Sequence, residues 1–290
     1  MTSEWHLLRD PQDPELDRLG ERYHLHPLHI EDCRHRNQSA KVEEDGGYLF
    51  VVLKPVHIDA EGLLEVSDLD IFIGKDFTIT VEEQHCPGVR KLLDQLRALN
   101  REWKPDELLY RIADGVVDSY LPLLDRFDER VDELQDAVLE RPEPAVLSQI
   151  FDLKRNLILL RRVLVNTRDV AGHLQRSESP LIGRGMWPFL RDVYDHVARN
   201  LDTVDMLRDL LAGALDVYLS SVANRTNQVM KVLTVLSTIA LPALIISGIY
   251  GMNVKGLPWM ESPHGAIGVV VVAALCTLAL LGLLKRYGWF

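Results

Sequence analysis

The sequence is that of an acidic chain of 290 residues, in which 32 Lys or Arg face 43 Asp or Glu for a formal net charge of -11. This balance argues against nucleic acid as a partner, because binding to phosphates requires a basic surface. It suits a protein that attracts cations, although acidity can also serve only to keep a domain in solution. Cys33, Cys86 and Cys276 are too widely spaced for a disulfide framework or a cysteine-rich metal site.

The first hundred residues have the pattern of an α/β domain, which we place at residues 1–104. Two stretches rich in β-branched and aromatic residues, 48–56 and 69–81, predict strands of a mixed sheet, with glycines marking the turns. Helical spacing appears in three segments around them: residues 14–23, 27–34 and 87–102.

Strand signals disappear after Pro105, and a helical cytoplasmic hairpin is predicted over residues 105–187. Apolar residues recur at steps of three and four from Asp106 to Glu140, which predicts one long helix that ends at a proline-rich turn. A second helix should run from about residue 145 to residue 175, before a segment that contains one proline and two glycines.

A third helix should begin at about Pro188 and continue into a membrane, because the only glycine or proline between Pro188 and Pro242 is Gly213, which a helix can tolerate. Its first part, residues 188–231, is predicted to form a stalk. Aspartates recur along it every seven residues and so share one stripe: Asp195, Asp202, Asp209 and Asp216. In one chain this stripe is a solvated face, whereas several stalks side by side would bring carboxylates together until a cation such as Mg2+ bridged them.

Two uncharged apolar runs near the end of the chain, residues 232–250 and 265–284, are each long enough to cross hydrocarbon as a helix. They predict a first transmembrane helix at 232–250, an external loop at 251–264, and a second transmembrane helix with a basic tail at 265–290. Lys and Arg residues precede the first span and follow the second, which favours cytoplasmic termini. We therefore expect a multi-pass protein of the cell inner (plasma) membrane.

The first span has one mixed face, on which small and polar residues alternate with apolar ones. Its members advance in steps of three and four: Asn227, Met230, Thr234, Ser237, Leu241, Leu244 and Gly248. Such a face can line a pore or pack against another helix. Because two spans cannot enclose a pathway, a pore would require an oligomer.

The end of the first span, Tyr250 to Asn253 (Tyr-Gly-Met-Asn), is followed by a short loop, a last helix and a basic-aromatic tail at residues 285–290. This arrangement resembles the CorA family of divalent-cation channels. Further segments resemble the family's head, stalk and pore helix: residues 138–143, 153–157, 191–196, 215–221 and 227–234. The resemblance implies a funnel-shaped homopentamer with an α/β cytoplasmic domain, long stalk helices and a two-helix transmembrane hairpin.

The resemblance also implies that the first transmembrane helix lines the pore, with Gly251, Met252 and Asn253 as the external selectivity mouth. Copies of Asn253 would accept hydrogen bonds from the water shell that Mg2+ holds tightly. The pore-lining positions are then Asn227, Leu233, Ser237, Leu241, Leu244 and Gly248. Rings of leucine can close such a pore by dewetting.

The function implied by the resemblance is passive magnesium transport driven by the membrane potential, with Co2+ and Ni2+ as further candidate ions. Mg2+ would also be regulatory, bound by acidic residues between neighbouring subunits. Asp32 would face Asp192 of the next subunit, and Glu31 and Asp114 would form a looser second site. Occupied sites would offset carboxylate repulsion and hold the pore closed.

Three other interpretations start from the same sequence. Zinc transport, as in the related ZntB branch, is suggested by Gly256-Leu257-Pro258 in the loop, although Met252 retains the magnesium-type triplet. A membrane-tethered sensor or scaffold could bind cations without conducting them. An enzyme is not indicated, since no nucleophile and base arrangement stands out.

A cluster of metal-ligand residue types lies near the start of the chain: His24, His26, His29, Cys33 and His35. Its spacing matches no compact pair of ligands followed by a second pair. We therefore do not predict a zinc site in this segment.

Overall fold

The computed structural model describes residues 3–35, 38–82, 86–252, 256–259 and 262–288. The chain separates into two compact units, Met1–Asp216 and Val217–Phe290. All the strands in the described ranges belong to the first unit, whereas the second is helical apart from its loop.

Seven strands lie within the described part of the first unit: β1 (Glu4–Leu8), β2 (Lys41–Asp45), β3 (Tyr48–Leu53), β4 (Val56–Ile58), β5 (Leu64–Val66), β6 (Leu69–Ile73) and β7 (Phe77–Glu82). Five of them form a sheet in the order β1-β7-β6-β3-β2, and β4 pairs with β5 in a separate hairpin. β1 is parallel to β7, while the other neighbours in the large sheet are antiparallel. The predicted mixed sheet is therefore confirmed.

The central strands β3 and β6 are fully buried. On one face of the sheet, Leu16 and Leu19 of helix α1 (Glu15–Tyr23) belong to one apolar cluster with Phe50 and Phe72, which are directly paired across β3 and β6. Helix α2 (Pro27–Arg34) contributes Cys33 to the same cluster. Strands covered on both faces appear in a sequence as continuous apolar runs, which is why these two could be predicted.

Each of the two predicted strand stretches contains a break. Pro55 lies between β3 and β4, because proline has no N–H to donate to a strand ladder. Gly74 lies between β6 and β7, where a Cβ would fall 2.0 Å from the ring of Phe77. The sequence pattern does not predict β1, β2 or β5. Of these, β2 is a charged strand at the edge of the sheet.

The single helix predicted from Asp106 to Glu140 is wrong. The structure has two helices, α4 (Pro105–Asp118) and α5 (Leu121–Glu140), after a helix α3 (Pro87–Ala98) that stops short of its predicted end. The cause of the break is Pro122, whose ring would clash with the carbonyl of Asp118 if the helix were continuous. At the junction Tyr120 is fully buried and donates its hydroxyl hydrogen to the carbonyl oxygen of Lys54 at 2.8 Å.

Two long helices follow, α6 (Pro144–Leu174) and α7 (Trp187–Tyr250), with a short 3-10 turn at Arg184–Met186 before the second. The prediction of one uninterrupted helix from about residue 188 to residue 250 is therefore confirmed. Within the first unit, Arg161 of α6 donates from Nε to Asp205 Oδ1 of α7 at 2.7 Å, and Arg208 donates to the same oxygen at 3.0 Å. This ion pair joins the two helices.

Asn156 of α6 connects that helix to the β4–β5 hairpin. Its Oδ1 accepts from the backbone N–H of Leu64 at 3.0 Å, and its Nδ2 donates to the carbonyl oxygen of Gly62 at 3.0 Å. Asn156 is only 5% exposed, so these bonds are shielded from water.

In the second unit, α7 is followed by a loop and by helix α8 (Gly265–Arg286). Both helices are long and apolar enough to cross a membrane. The loop is tied to the end of α7, since the Tyr250 hydroxyl donates to the carbonyl oxygen of Pro258 at 2.9 Å. It also lies close to the start of α8, because a Cβ on Gly265 would fall 2.0 Å from the carbonyl oxygen of Trp259.

Candidate functional site

The predicted pore face occupies one side of the apolar part of α7. All six of its predicted residues are exposed in the single chain: Asn227, Leu233, Ser237, Leu241, Leu244 and Gly248. Exposure is not confined to this face, because Val232, Leu236 and Ile239 are also exposed. The less exposed residues of this part of the helix include Thr238, Pro242, Ile246 and Tyr250. The exposed face therefore needs lipid or another protein chain to cover it.

The hydroxyl groups of this part of α7 bond to the helix itself. Thr234 donates to the carbonyl oxygen of Met230 at 2.8 Å, Ser237 to that of Leu233 at 2.9 Å, and Thr238 to that of Thr234 at 2.8 Å. Bonds of this kind let a hydroxyl reside in an apolar helix without an unsatisfied donor. The polar residues of the face are thus compatible with a membrane-spanning helix.

The predicted mouth begins where α7 ends. The backbone N–H of Gly251 bonds to the Ser247 carbonyl oxygen at 2.8 Å, and that of Met252 to Ile249 at 3.2 Å. A Cβ on Gly251 would lie 3.0 Å from the same Ser247 oxygen, so glycine allows the chain to leave the helix in a tight turn. Asn253 lies outside the described residues.

A cluster of possible metal ligands lies between α4 and α7 in the first unit. Ligand atoms of Asp114, Asp118 and His196 all fall within 4.8 Å of one another. The ring of His196 also approaches a fourth residue, since its Nε2 is 3.6 Å from Asp192 Oδ1 while its Nδ1 is 3.9 Å from Asp118 Oδ1. Carboxylate oxygens are the ligands that hard cations such as Mg2+ prefer.

The environment of Asp114 is unfavourable for a negative charge. Partial burial is the main cause that raises the pKa of this carboxyl above its usual value, and the nearby charge of Asp118 raises it further. The charge of His196 and a hydrogen bond with Tyr110 act in the opposite direction but are outweighed. A bound cation would favour the ionised form.

The structure brings together only part of the predicted regulatory set. Asp114 and Asp192 both lie at the α4–α7 cluster, whereas Glu31 and Asp32 lie on α2. Among the described residues, no hydrogen bond or ion pair joins either α2 carboxylate to Asp114 or Asp192.

The sequence prediction missed two members of the cluster, Asp118 and His196. Each stands four residues after a residue that was predicted, so each shares a helix face with Asp114 or Asp192. This spacing was an available signal, but the contact between α4 and α7 that brings both pairs together was not.

The histidine cluster near the start of the chain has structural roles where it is described. His29 is buried, with Nδ1 2.7 Å from the Tyr48 hydroxyl and Nε2 2.8 Å from Glu43 Oε2. His26 caps α2, where its Nδ1 accepts from the backbone N–H of Leu28 at 3.2 Å. These contacts account for the two histidines without a zinc ion.

The structure combines an α/β unit, a very long helix with an apolar C-terminal part, a second apolar helix and clustered carboxylates. These are the features of a membrane transporter for cations. The family model described as "CorA-like Mg2+ transporter protein" matches residues 2–286. The chain therefore belongs to this family, and the resemblance stated from the sequence is confirmed. The family is one of ion transporters, not enzymes.

Individual relatives agree with this assignment. The Cobalt/magnesium transport protein CorA of Thermotoga maritima is 38% identical over 278 residues, which cover 94% of this chain and 79% of that protein. The complete structure of the CorA magnesium transporter from Methanocaldococcus jannaschii matches with a TM-score of 0.85 at 26% identity, covering 99% of this chain and 91% of that chain.

The zinc branch is a more distant match. The Zinc transport protein ZntB of Pectobacterium carotovorum subsp. carotovorum is 21% identical over 253 residues, which cover 86% of this chain and 76% of that protein. The comparison favours the magnesium interpretation over the zinc interpretation.

Proposed function

We propose that this chain assembles as a homopentamer in the cell inner (plasma) membrane, with both termini in the cytoplasm, and conducts Mg2+ inward. Co2+ is a second candidate ion, because the Thermotoga maritima relative is named as a cobalt/magnesium transport protein. The observation that carries the proposal is the exposure of both apolar helices in the single chain, the six predicted pore residues included. Copies of the same chain, arranged around an axis, would cover this face.

The membrane potential is the proposed driving force. Moving a divalent cation inward through 100 mV releases about 4.6 kcal/mol, so transport needs no nucleotide. At the mouth, Gly251, Met252 and Asn253 would meet the hydrated ion with neutral oxygen acceptors. Leu233, Leu241 and Leu244 would form apolar rings that stop conduction when they dewet.

Regulation by cytoplasmic Mg2+ is the second part of the proposal. The carboxylates of Asp114 and Asp118 are a donor set that fits a hard divalent cation, which would offset the repulsion between them. Asp32 would complete one site with Asp192 of a neighbouring copy, and Glu31 a second with Asp114. When these carboxylates lose their cation, their repulsion would loosen the contacts between copies and favour the open pore.

Uptake into vesicles tests the transport function. The full chain is reconstituted in proteoliposomes that contain a Mg2+ indicator, and an inside-negative potential is imposed. Entry of Mg2+ should depend on the potential and should fall to the level of protein-free vesicles in Asn253→Ala. Asn166→Ala, which removes an amide from α6 in the first unit, is the matched control and should leave the flux unchanged. Absence of potential-dependent entry in the native protein would contradict the proposal.

Zinc transport is the second candidate function. It is favoured by Gly256-Leu257-Pro258 in the loop and by the ZntB relative. The same vesicles, loaded with a Zn2+ indicator, separate the two candidates. Entry of Zn2+ without entry of Mg2+ would assign the chain to zinc transport, whereas entry of neither ion would favour a sensor.

A further inference from the structure

The carboxylate of Asp32 is already engaged by a cation of its own chain. The Lys41 ammonium nitrogen lies 2.7 Å from Asp32 Oδ2, and Gln38 Nε2 donates to Oδ1 at 3.2 Å. Both oxygens of the predicted ligand therefore have partners. The side chains of Asp32 and Lys41 are 23% and 26% exposed, so water screens their attraction only in part.

Lys41 has a second carboxylate within reach. Its ammonium nitrogen is 2.9 Å from Glu43 Oε1, while the other oxygen of Glu43 contacts His29 Nε2 at 2.8 Å. His29 is held in turn by the hydroxyl of Tyr48 and by stacking on Phe50 at a centroid distance of 4.6 Å. Glu43 is thus a fixed anchor that would keep Lys41 paired if Asp32 were taken away.

The ammonium group of Lys41 donates to both carboxylates, so its positive charge lies where a divalent cation at Asp32 would be placed. An ammonium group and a divalent cation cannot share one carboxylate oxygen without strong repulsion. A divalent cation at either oxygen of Asp32 would lie close to Lys41 and be repelled by it, so the binding of one opposes the binding of the other.

We propose that Lys41 competes with the divalent cation for Asp32, and that its release from Asp32, with Glu43 kept as its partner, sets the Mg2+ concentration at which the regulatory site fills. The proposal rests on the proposed regulatory role of Asp32. Because Lys41 keeps its ion pair with Glu43 when it leaves Asp32, it lowers the affinity of the site for Mg2+ without abolishing it. Lys41 is a positioning residue and not a metal ligand.

The test is the Mg2+ concentration that gives half-maximal protection of the full-length protein from limited proteolysis, in detergent and without ion flux. Lys41→Met removes the competitor and should lower this midpoint about fivefold, the equivalent of one partly exposed ion pair. Lys41→Arg keeps the charge and should leave the midpoint near the native value. Glu43→Gln removes the alternative anchor but retains an acceptor for His29, so it should raise the midpoint.

Two matched variants test whether the Mg2+ midpoint shifts merely because the net charge of the protein has changed. Lys75→Met, at an exposed lysine in the β6–β7 turn, and Glu44→Gln, next to Glu43, should leave the midpoint unchanged. Unfolding of each variant in EDTA checks its fold. If Lys41→Met does not fold, the opposite shift in Glu43→Gln still decides the question.

The outcomes distinguish the two levels of the proposal. If Asp32→Asn loses Mg2+ protection while the midpoint of Lys41→Met is unchanged or raised, the proposed role of Lys41 is contradicted. The proposed regulatory site at Asp32 is then retained. Full Mg2+ protection in Asp32→Asn would overturn both. Shifts of opposite sign in Lys41→Met and Glu43→Gln would support the competitor.

Discussion

At the scale of single residues, Asp114 links stability to metal binding. Its pKa is raised, chiefly by burial, so in the folded protein the ionised form is disfavoured when no cation is bound. We predict that Asp114→Asn raises the thermal unfolding midpoint in EDTA by roughly 1–3 °C, because the substitution removes this charge. The same variant should lose part of the stabilisation that Mg2+ gives to the native protein. Thermal unfolding with EDTA and with Mg2+ measures both effects.

The pH dependence of this effect has a defined sign. Below the ordinary pKa of aspartic acid, Asp114 is protonated in both the folded and the unfolded state, so the variant and the native protein should unfold alike. As the pH rises from that ordinary pKa to the raised pKa of the folded state, the unfolded state of the native sequence releases this proton first, so the native protein loses stability relative to the variant. Asp209→Asn, at an exposed carboxylate of α7, is the control. An Asp114→Asn protein less stable than the native one at neutral pH in EDTA would refute the prediction.

At the scale of secondary-structure elements, one amide holds the β4–β5 hairpin to α6. We predict that Asn156→Ala destabilises the first unit by about 2–3 kcal/mol, because the N–H of Leu64 and the carbonyl of Gly62 would lose their partners in a buried position. Denaturant unfolding of the full chain, followed by tryptophan fluorescence, measures this loss. Asn166→Ala on the same helix removes no described side-chain hydrogen bond and should change stability by less than about 0.5 kcal/mol. Equal effects of the two variants would count against the prediction.

The Arg161–Asp205 ion pair joins α6 to α7, and its contribution to stability should depend on pH and on salt. The hydrogen bond from Arg161 is the main cause that lowers the pKa of Asp205. Its stabilising effect is therefore present above the ordinary pKa of aspartic acid and is lost as the pH falls through the lowered folded pKa. Because both side chains are 41% exposed, we predict that Arg161→Met causes only a small loss of stability at neutral pH. Thermal unfolding in low and high salt should show that the difference shrinks as salt screens the pair.

Some elements could be predicted from the sequence and others could not. β3 and β6 are buried on both faces, so each is a continuous apolar run that can be recognised in the sequence. β2 is an edge strand rich in charged residues and therefore lacks such a run. The α4–α5 break was missed because apolar residues keep their helical spacing across Pro122, although that proline excludes a continuous helix. The length of α7 was predictable because Gly213 is the only glycine or proline between Pro188 and Pro242.

At the scale of the whole molecule, the exposed apolar surface of the second unit requires partners. We predict that the full chain in mild detergent has the mass of five chains by native mass spectrometry. The assembly should persist in EDTA, because apolar helix contacts do not depend on divalent cations, while proteolysis of the first unit should increase. A monomer at all protein concentrations would contradict the proposed homopentamer.

In the candidate site, spacing along one helix is visible in the sequence, whereas contacts between separate elements are not. The mixed face of α7 follows from spacing along one helix and was visible in the sequence, whereas the choice of Leu233 as a pore residue came from the family resemblance. The cluster at Asp114 joins residues from α4 and α7 that are about 80 positions apart in the chain, and no local pattern encodes that contact. The contact between Lys41 and Asp32 spans only nine positions, but it joins α2 to β2, a strand that the sequence pattern did not reveal.

The back-bonded hydroxyl of Ser237 has a consequence for the sign of the ions that α7 would tolerate. Its only hydrogen is used by the Leu233 carbonyl, so the oxygen can offer nothing but lone pairs to its surroundings. Water around a cation points its hydrogens outward and can meet such lone pairs. Water around an anion points its oxygens outward and would find no donor on this serine. In the proposed pore, this uncharged side chain would therefore favour cations over anions by the orientation of the water that each carries.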